Sequence, residues 1–516
     1  MKKTLLLITA CTSLLFAPLH AQETDQVIEN IIKEANENSQ LESLGHHLMD
    51  VIGPRLVGTP EMKQANDWAV STYEGWGISA ENEQYGEWRG WERGITHIDL
   101  IEPRVRSLSG MQLAWSPGSK KPVIAEVVLL PEAQDSAAFA KVMSQVKGKL
   151  VMISMPQMTG RPDYNWEEFA TEKSFDKMKA DREEQTNAWR ERIGKTGYNG
   201  RSLPQALENA GAVGIITLNW SRGFGANKVF SASTKKIPTI DLSLEDYGMV
   251  YRLAESGNKP KLRIVAESKE LGVVPAFNTI ATIKGTEKPE EYIILSAHFD
   301  SWDGATGATD NGTGTIVMME AMRILKKMYP NPKRTIIAGH WGSEEQGLNG
   351  SRAYVKDNPE IVENLQALFN QDNGTGRVVN LSGGGFLHAY DYLGRWMEAV
   401  PTDYKNEIEY NFPGTPAGGG SDYASFVAAG APAFSLSSIS WSYWNYTWHT
   451  NLDTYDKIVF DDVRNNAILT AILAYKASED PETTSRERAT LPKNSRTGKQ
   501  MTWPEPRDAT RKGGLD

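Results

Sequence analysis

The stretch EYIILSAHFDSWDGATGATDNGTG, Glu291 to Gly314, begins as an apolar run and ends as a loop with three aspartates, one histidine and a succession of glycines. The run is short, isoleucine-rich and bounded by polar residues, which reads as a buried strand. The loop leads into GTIVMMEAMRILKKM (314–328), an amphipathic helix with Pro330 and Pro332 just beyond it. RTIIAGHWG (334–342), QALFNQD (366–372) and APAFSLSS (431–438) are further strands. Alternating strands and helices predict an α/β fold: a mostly parallel (mixed) sheet with helices on both faces. Ligands of such sheets sit at the carboxyl ends of the strands.

Outward from this segment (269–477) the texture changes. Residues 121–268 hold short apolar runs, VIAEVVLL, GKLVMIS, AVGIITL, TIDLS and KLRIVAES, separated by Gly, Pro and charge. They predict a separate, inserted β-rich unit. Within it, the charged stretch 159–200 contains DKMKADREEQTNAWRER, a solvated helix on a surface insertion. Residues 22–120 form the first part of the main domain, where Thr59 caps a helix with Pro60 at its first position and Glu61 in its first turn. Residues 478–516 are polar and read as a surface extension.

The N-terminus MKKTLLLITACTSLLFAPLHAQ has two lysines, an apolar run and a small residue before a polar segment, a secretory signal with cleavage after Ala21. An exported protein, periplasmic or extracellular, follows. Ile8-Thr9-Ala10-Cys11 offers a second reading, a lipid-anchored protein. Cys11 is the one cysteine in the sequence, so cysteine catalysis and disulfides are excluded from the mature chain. No later run is long enough for a transmembrane helix. At 516 residues the chain exceeds a single core, and a formal charge of −10 argues against nucleic acid as a partner. A homodimer through the inserted unit or the tail is compatible with the sequence.

Polar clusters fall at the predicted strand ends. The first strand ends in His298-Phe299-Asp300, with Asp303 in the loop and Asp310 at the start of the helix. The second ends before Glu344-Glu345 and the third at Gln371-Asp372; His449 comes later, before another helix. So many carboxylates in one crevice repel one another unless cations hold them. Histidine with Asp and Glu, and no Cys, suits zinc in an open site. Five ligands, His298, Asp310, Glu345, Asp372 and His449, are too many for one such zinc. Two ions sharing one bridging carboxylate would give each three protein ligands. The unliganded member of the Glu344-Glu345 pair is then a candidate general base. Asp303 reads as a loop residue and His340 as a buried, hydrogen-bonded one; His46, His47, His97 and His388 read as structural.

His298-x-Asp300, Asp310-Asn311-Gly312, Glu344-Glu345, Asp372 and His449-Thr450-x-x-Asp453-Thr454, separated by 12, 35 and 27 residues from His298 to Asp372, resemble the motifs of the aminopeptidase/glutamate carboxypeptidase family of co-catalytic zinc peptidases. GPRLVGT (53–59) and AGAVGIITL (210–218) resemble the plasma glutamate carboxypeptidase branch, whose inserted unit is a protease-associated domain. The resemblance implies the zinc-peptidase (phosphorylase/hydrolase-like) fold. It also implies two zinc ions, His298 and Asp372 on one, Glu345 and His449 on the other, Asp310 bridging. Glu344 would be the proton carrier, Asp300 would hydrogen-bond His298, and the Asp310–Asn311 peptide would be cis. Two positions depart from the family. Trp448 precedes His449 where relatives place tyrosine or histidine, which passes the oxyanion-stabilising role to Tyr443 or Tyr446. Ser421-Asp422-Tyr423 stands where relatives often have Ser-Asp-His.

The expected activity is a zinc-dependent exopeptidase on short peptides, an aminopeptidase or dipeptidase, with carboxypeptidase action on the same site as the alternative. Asp and Glu near the site would favour a free amine, Arg or Lys a carboxylate. A glutaminyl-cyclase-like acyltransferase would need one zinc and a non-catalytic peptide-binding protein none; the complete ligand set argues against both.

Overall fold

The computed structural model describes residues 25–372 and 374–514. The proposed signal and Cys11 lie outside the described residues. Among them, no helix is long and apolar enough to cross a membrane.

Each apolar run of the main domain becomes a strand. Lys288–His298 lies between Arg334–Trp341 and Leu365–Asn370, parallel to both, and Ala433–Ser438 continues the parallel set. Val378–Ser382 joins the far side antiparallel. Thr313–Met328 is helical and buried on all faces as far as Leu325, the mark of a helix enclosed by other elements. Helix Phe460–Glu479 packs on it, and the sheet is flanked by helices throughout, as the alternation predicts. Helix Pro60–Gly75 begins at the expected cap, Thr59 Oγ1 accepting from the Met62 N–H at 3.2 Å.

The second unit is reached by a ribbon of two long antiparallel strands, Ser79–Glu102 and Lys261–Ile283. Its core already includes Ile98, Leu100 and Leu108, so it starts before the change of texture at Lys121. The ribbon belongs to both lobes and carries no compositional break to mark the border. Expected as β-rich, the unit is more helical than its apolar runs suggest. Val123–Leu129, Leu150–Met152, Gly214–Thr217 and Thr239–Leu242 are mutually parallel, and parallel neighbours need crossovers. Helices Ser136–Val142 and Ser202–Asn209 lie in those connections. The charged stretch forms helix Glu172–Lys195, with Met178 its one buried residue.

The C-terminal segment, expected as a surface extension, is instead fastened along the main lobe. Trp503 Nε1 donates to the Val427 carbonyl at 2.9 Å, and Lys512–Gly513 pairs in parallel with Glu87–Trp88 of the ribbon. Gly513 lies flat on the Trp88 indole, where a Cβ would come within 2.1 Å of ring carbons. Polar composition hid these anchors because they are mostly backbone bonds and single aromatic contacts.

Candidate metal centre

The carboxyl ends of the parallel strands deliver the five candidate ligands to one place. His298 ends its strand, Glu344 and Glu345 follow the next, and Asp372 follows the third. Asp310 sits in the turn Ala308–Gly312 that opens the buried helix. His449, at φ 58°, comes from the loop after the short helix Tyr443–Tyr446.

His298 Nε2 is 3.1 Å from Asp372 Oδ1 and 3.4 Å from Asp310 Oδ1. His449 Nε2 is 2.9 Å from Glu345 Oε2 and 3.3 Å from Asp310 Oδ2. The donor atoms thus form two trios, each within 4.8 Å, with Asp310 common to both. One oxygen of Asp310 faces each trio.

The electrostatics show a centre short of positive charge. Burial raises the carboxyls of Glu344 and Glu345 well above the usual range. Burial also opposes charge on Asp310, but His298 and His449 outweigh it and hold that carboxyl low. At His298 burial is outweighed by Asp372 and Glu344, and the imidazole is raised. Asp310 Oδ2 and Glu345 Oε1 are buried without a hydrogen-bond partner among the described residues. Inward-facing oxygens and imidazole nitrogens, without sulfur, are the donor set that zinc accepts.

The surrounding residues aim the donors. His298 Nδ1–H donates to the Asp300 backbone carbonyl at 2.9 Å, while the Asp300 carboxylate lies 3.8 Å from that nitrogen, beyond hydrogen-bond range. The expected side-chain bond from Asp300 is therefore a main-chain one. Its carboxylate instead accepts from the Glu344 and Glu345 N–H groups at 2.9 and 3.2 Å, because two backbone donors of the neighbouring loop converge on it. Asp300 so ties the first strand end to the second.

Two residues the sequence left without a role complete the frame. Asp453 accepts from Thr309 N and Oγ1, both at 2.8 Å, and from Asp310 N at 2.9 Å, which fixes the turn bearing Asp310; burial pushes its own carboxyl up to about 7. Arg55 of GPRLVGT is fully buried and donates to the carbonyls of Gly53, Phe299, Thr306 and Gly307. Both stood inside quoted motifs; their unusual burial as charged residues was the missing signal. Asp303, expected as a plain loop residue, is buried and paired with Arg93 of the ribbon at 2.7 Å. His340 is buried, bonded to the Tyr73 hydroxyl at 2.7 Å and held by burial near 3. The Asp310–Asn311 peptide is cis.

The oxyanion candidates separate. Tyr443 is buried with its hydroxyl interacting with the Asp310 carboxyl. Tyr446 turns away to Tyr164 of the inserted lobe, the two hydroxyls 2.9 Å apart. Trp448 stacks on the His449 ring at 4.0 Å. Asp422 is buried and raised to about 7 by burial, against a smaller opposing effect of His298 and the Ser351 hydroxyl; Tyr423 lies towards Asp372.

The inserted lobe holds the His449 loop directly. Val229 N–H donates to the His449 carbonyl at 2.7 Å, Asn227 N–H to Asn451 Oδ1 at 2.8 Å and Ser221 Oγ to the Asn445 carbonyl at 2.6 Å. The Phe230 ring stands edge-on to His449 at 5.4 Å.

Comparison with known families matches residues 278–474, the segment that carries every candidate ligand, to the model described as peptidase family M28. These residues are similar to a peptidase family M28 domain. The chain is a metallo-exopeptidase with the mixed α/β zinc-peptidase fold. It is similar to carboxypeptidase Q of Mus musculus, 26% identical over 448 residues that cover 86% of this chain and 87% of that protein. Carboxypeptidase Q of Homo sapiens is 25% identical, covering 84% of each. Among solved structures, a peptidase M28 precursor from Shewanella amazonensis SB2B superposes with a TM-score of 0.65 at 22% identity, over 90% of this chain and 98% of the other. A zinc aminopeptidase from Bacillus subtilis gives 0.56 at 17% identity, over 87% and 97%. Those two share the fold.

Proposed function

We propose that this M28 domain is an exported exopeptidase for short peptides that works with two zinc ions and an activated water, as an aminopeptidase or dipeptidase. The observation that carries the reading is Asp310, whose two oxygens face two separate donor trios. His298 and Asp372 would hold one ion, Glu345 and His449 the other, with Asp310 between them. Bound zinc supplies a Lewis acid and lowers the pKa of water.

The chain's own residues supply the rest. Glu344 belongs to neither trio, yet lies near His298 and Asp372, and its backbone N–H is pinned by Asp300. Burial strengthens its hold on a proton, which suits a carrier that accepts the proton released as water attacks the peptide carbon and delivers it to the leaving amine. The Tyr443 hydroxyl, beside Asp310, is the candidate donor to the oxygen that gains charge. Trp448 packs His449 in place, and Asp422 and Tyr423 flank the Glu344 and Asp372 side. The secretory reading of residues 1–21 supports export. The smaller lobe is read as a protease-associated domain inserted between residues 22–120 and 269–477.

Zinc content and a panel of dipeptides and amino-acid amides on wild type and Glu344→Gln test the reading. Two zinc ions per chain and a loss of about 10²–10⁴-fold in kcat for the variant are expected. One ion would favour cyclisation, none a binding protein, and full activity of the variant would remove Glu344 from the mechanism.

A further inference from the structure

Where the C-terminal segment crosses the main lobe, residues 504–508 close a cavity of about 370 Å³ against helix Asn349–Asp357, and none of the five candidate metal ligands lines it. The polar ties that fasten the segment there are matched one for one. Lys356 Nζ pairs with Asp508 at 2.5 Å, Arg511 pairs with Asp357 at 2.7 Å, and the Thr510 N–H donates to Asn349 Oδ1 at 2.7 Å. Two cations of the same contact are left over. Arg352, half-buried on the helix, and Arg507, exposed on the tail, both line the cavity, and neither guanidinium makes a hydrogen bond or ion pair with a described residue. Glu505 lines the cavity too but lies beyond ion-pair distance of both. Burial, and after it the charge of Arg507, lower the Arg352 guanidinium against a smaller opposite pull from Asp422 and Glu344. Two like charges that share a cavity and lack a counter-ion repel each other, and an oxyanion between their planar forks relieves both the repulsion and the unmet donors.

We propose that this cavity binds one small, doubly charged oxyanion between Arg352 and Arg507, which clips the chain end to the helix that follows the Glu344 turn. The cavity has room for a tetrahedral oxyanion or a short dicarboxylate, and both offer paired oxygens to the two forks. The site touches the Glu344 turn from behind: a Cβ at Gly347 would lie 3.9 Å from Arg352 Nη1. A bound anion would offset the positive charge that Arg352 presents to Glu344 and Asp422. The assignment stands on the tail contact alone and does not depend on the peptidase reading.

Calorimetric titration of the full chain, prepared with zinc, tests this with sulfate and separately with succinate, at an ionic strength held constant by chloride. Wild type, Arg352→Gln, Arg507→Gln and Arg488→Gln are compared. Arg488 is the control: it belongs to the same C-terminal segment but lies over the Trp503 ring, 4.6 Å from its centre, outside the cavity. Expected is one anion per chain in wild type and in Arg488→Gln, with affinity lower by about tenfold or more in each of the other two. The anion should also raise the thermal midpoint of wild type and leave that of the two weakened variants unmoved. Arg507 is exposed, so its variant keeps the test valid if Arg352→Gln disturbs the helix. Saturation by sulfate alone assigns a tetrahedral oxyanion and saturation by succinate alone a dicarboxylate; either supports the site. No saturable binding in wild type, an equal loss in Arg488→Gln, or undiminished binding in either folded variant overturns it, the last placing the anion elsewhere, such as at the metal centre.

Discussion

The two halves of the candidate metal centre are built differently. His298, Asp310 and Asp372 stand on the ends of buried parallel strands and on the turn before a buried helix, all within one core. His449 stands on a loop at positive φ, and its nearest backbone bond comes from another lobe. The first half is held by packing, which is cooperative with the whole fold. The second is held by a few hydrogen bonds that can be altered without unfolding the core. A mutation should therefore lower stability on the strand side and metal affinity on the loop side.

Arg55→Met tests the strand side most severely. It removes a buried cation that faces Asp453, Asp300, Asp310 and Glu345 and strands four carbonyls. Urea denaturation should show a loss of about 3–5 kcal/mol. A loss below about 1 kcal/mol would mean the acid cluster relaxes without its cation, and the contrast between halves would collapse.

Asn451→Ala tests the loop side. It deletes the acceptor for the Asn227 N–H and the donor to the Gly225 carbonyl, both in the inserted lobe. Metal titration should resolve two steps, one of them weakened about 10–100-fold, with the thermal midpoint nearly unchanged. If both steps shift together, the trios are not independently held.

The smallest effect belongs to His340, behind the strand side. Burial keeps its imidazole neutral in the fold down to about 3, whereas the unfolded chain protonates near 6.5. Stability from this group is complete above about pH 7 and is lost as pH falls from about 6.5 towards 3. Between pH 7 and 5.5 the stability gap between wild type and His340→Gln should move by about 1 kcal/mol in the variant's favour. A gap independent of pH would show that the buried imidazole accepts a proton without cost.

Much of this was legible beforehand, for a physical reason. The main-domain strands are near-continuous apolar runs between Gly, Pro and charge, and the candidate ligands stand at their ends, so EYIILSAHF, RTIIAGHW and QALFNQD each announced a strand and its cargo. Asp310 and Glu345 could be singled out because acids do not crowd without cations. What local sequence could not carry was long-range. The Asp300 carboxylate meets N–H groups 44 and 45 residues on. Lys228 reaches the His449 loop across more than 220 residues, and the tail returns to a strand more than 400 residues earlier. The lobe border leaves no mark in composition because a strand serving two cores has the same texture in both.

The return of the chain end to the ribbon has a mechanical consequence. Two strands of more than twenty residues behave as a beam, stiff where the ladder is regular and yielding where it slips register. Slips occur near Gln84, Gly90, Arg93 and Leu100. The Lys512–Gly513 strand clamps the beam at Glu87–Trp88, on the main-lobe side of the slips at Gly90 and Arg93. Beyond the clamp, bending falls on the slips at Gly90, Arg93 and Leu100. A swing of the inserted lobe about that span would draw Val229 and Asn227 away from the His449 loop, so opening for substrate and easing the grip on one candidate metal ligand would be a single motion.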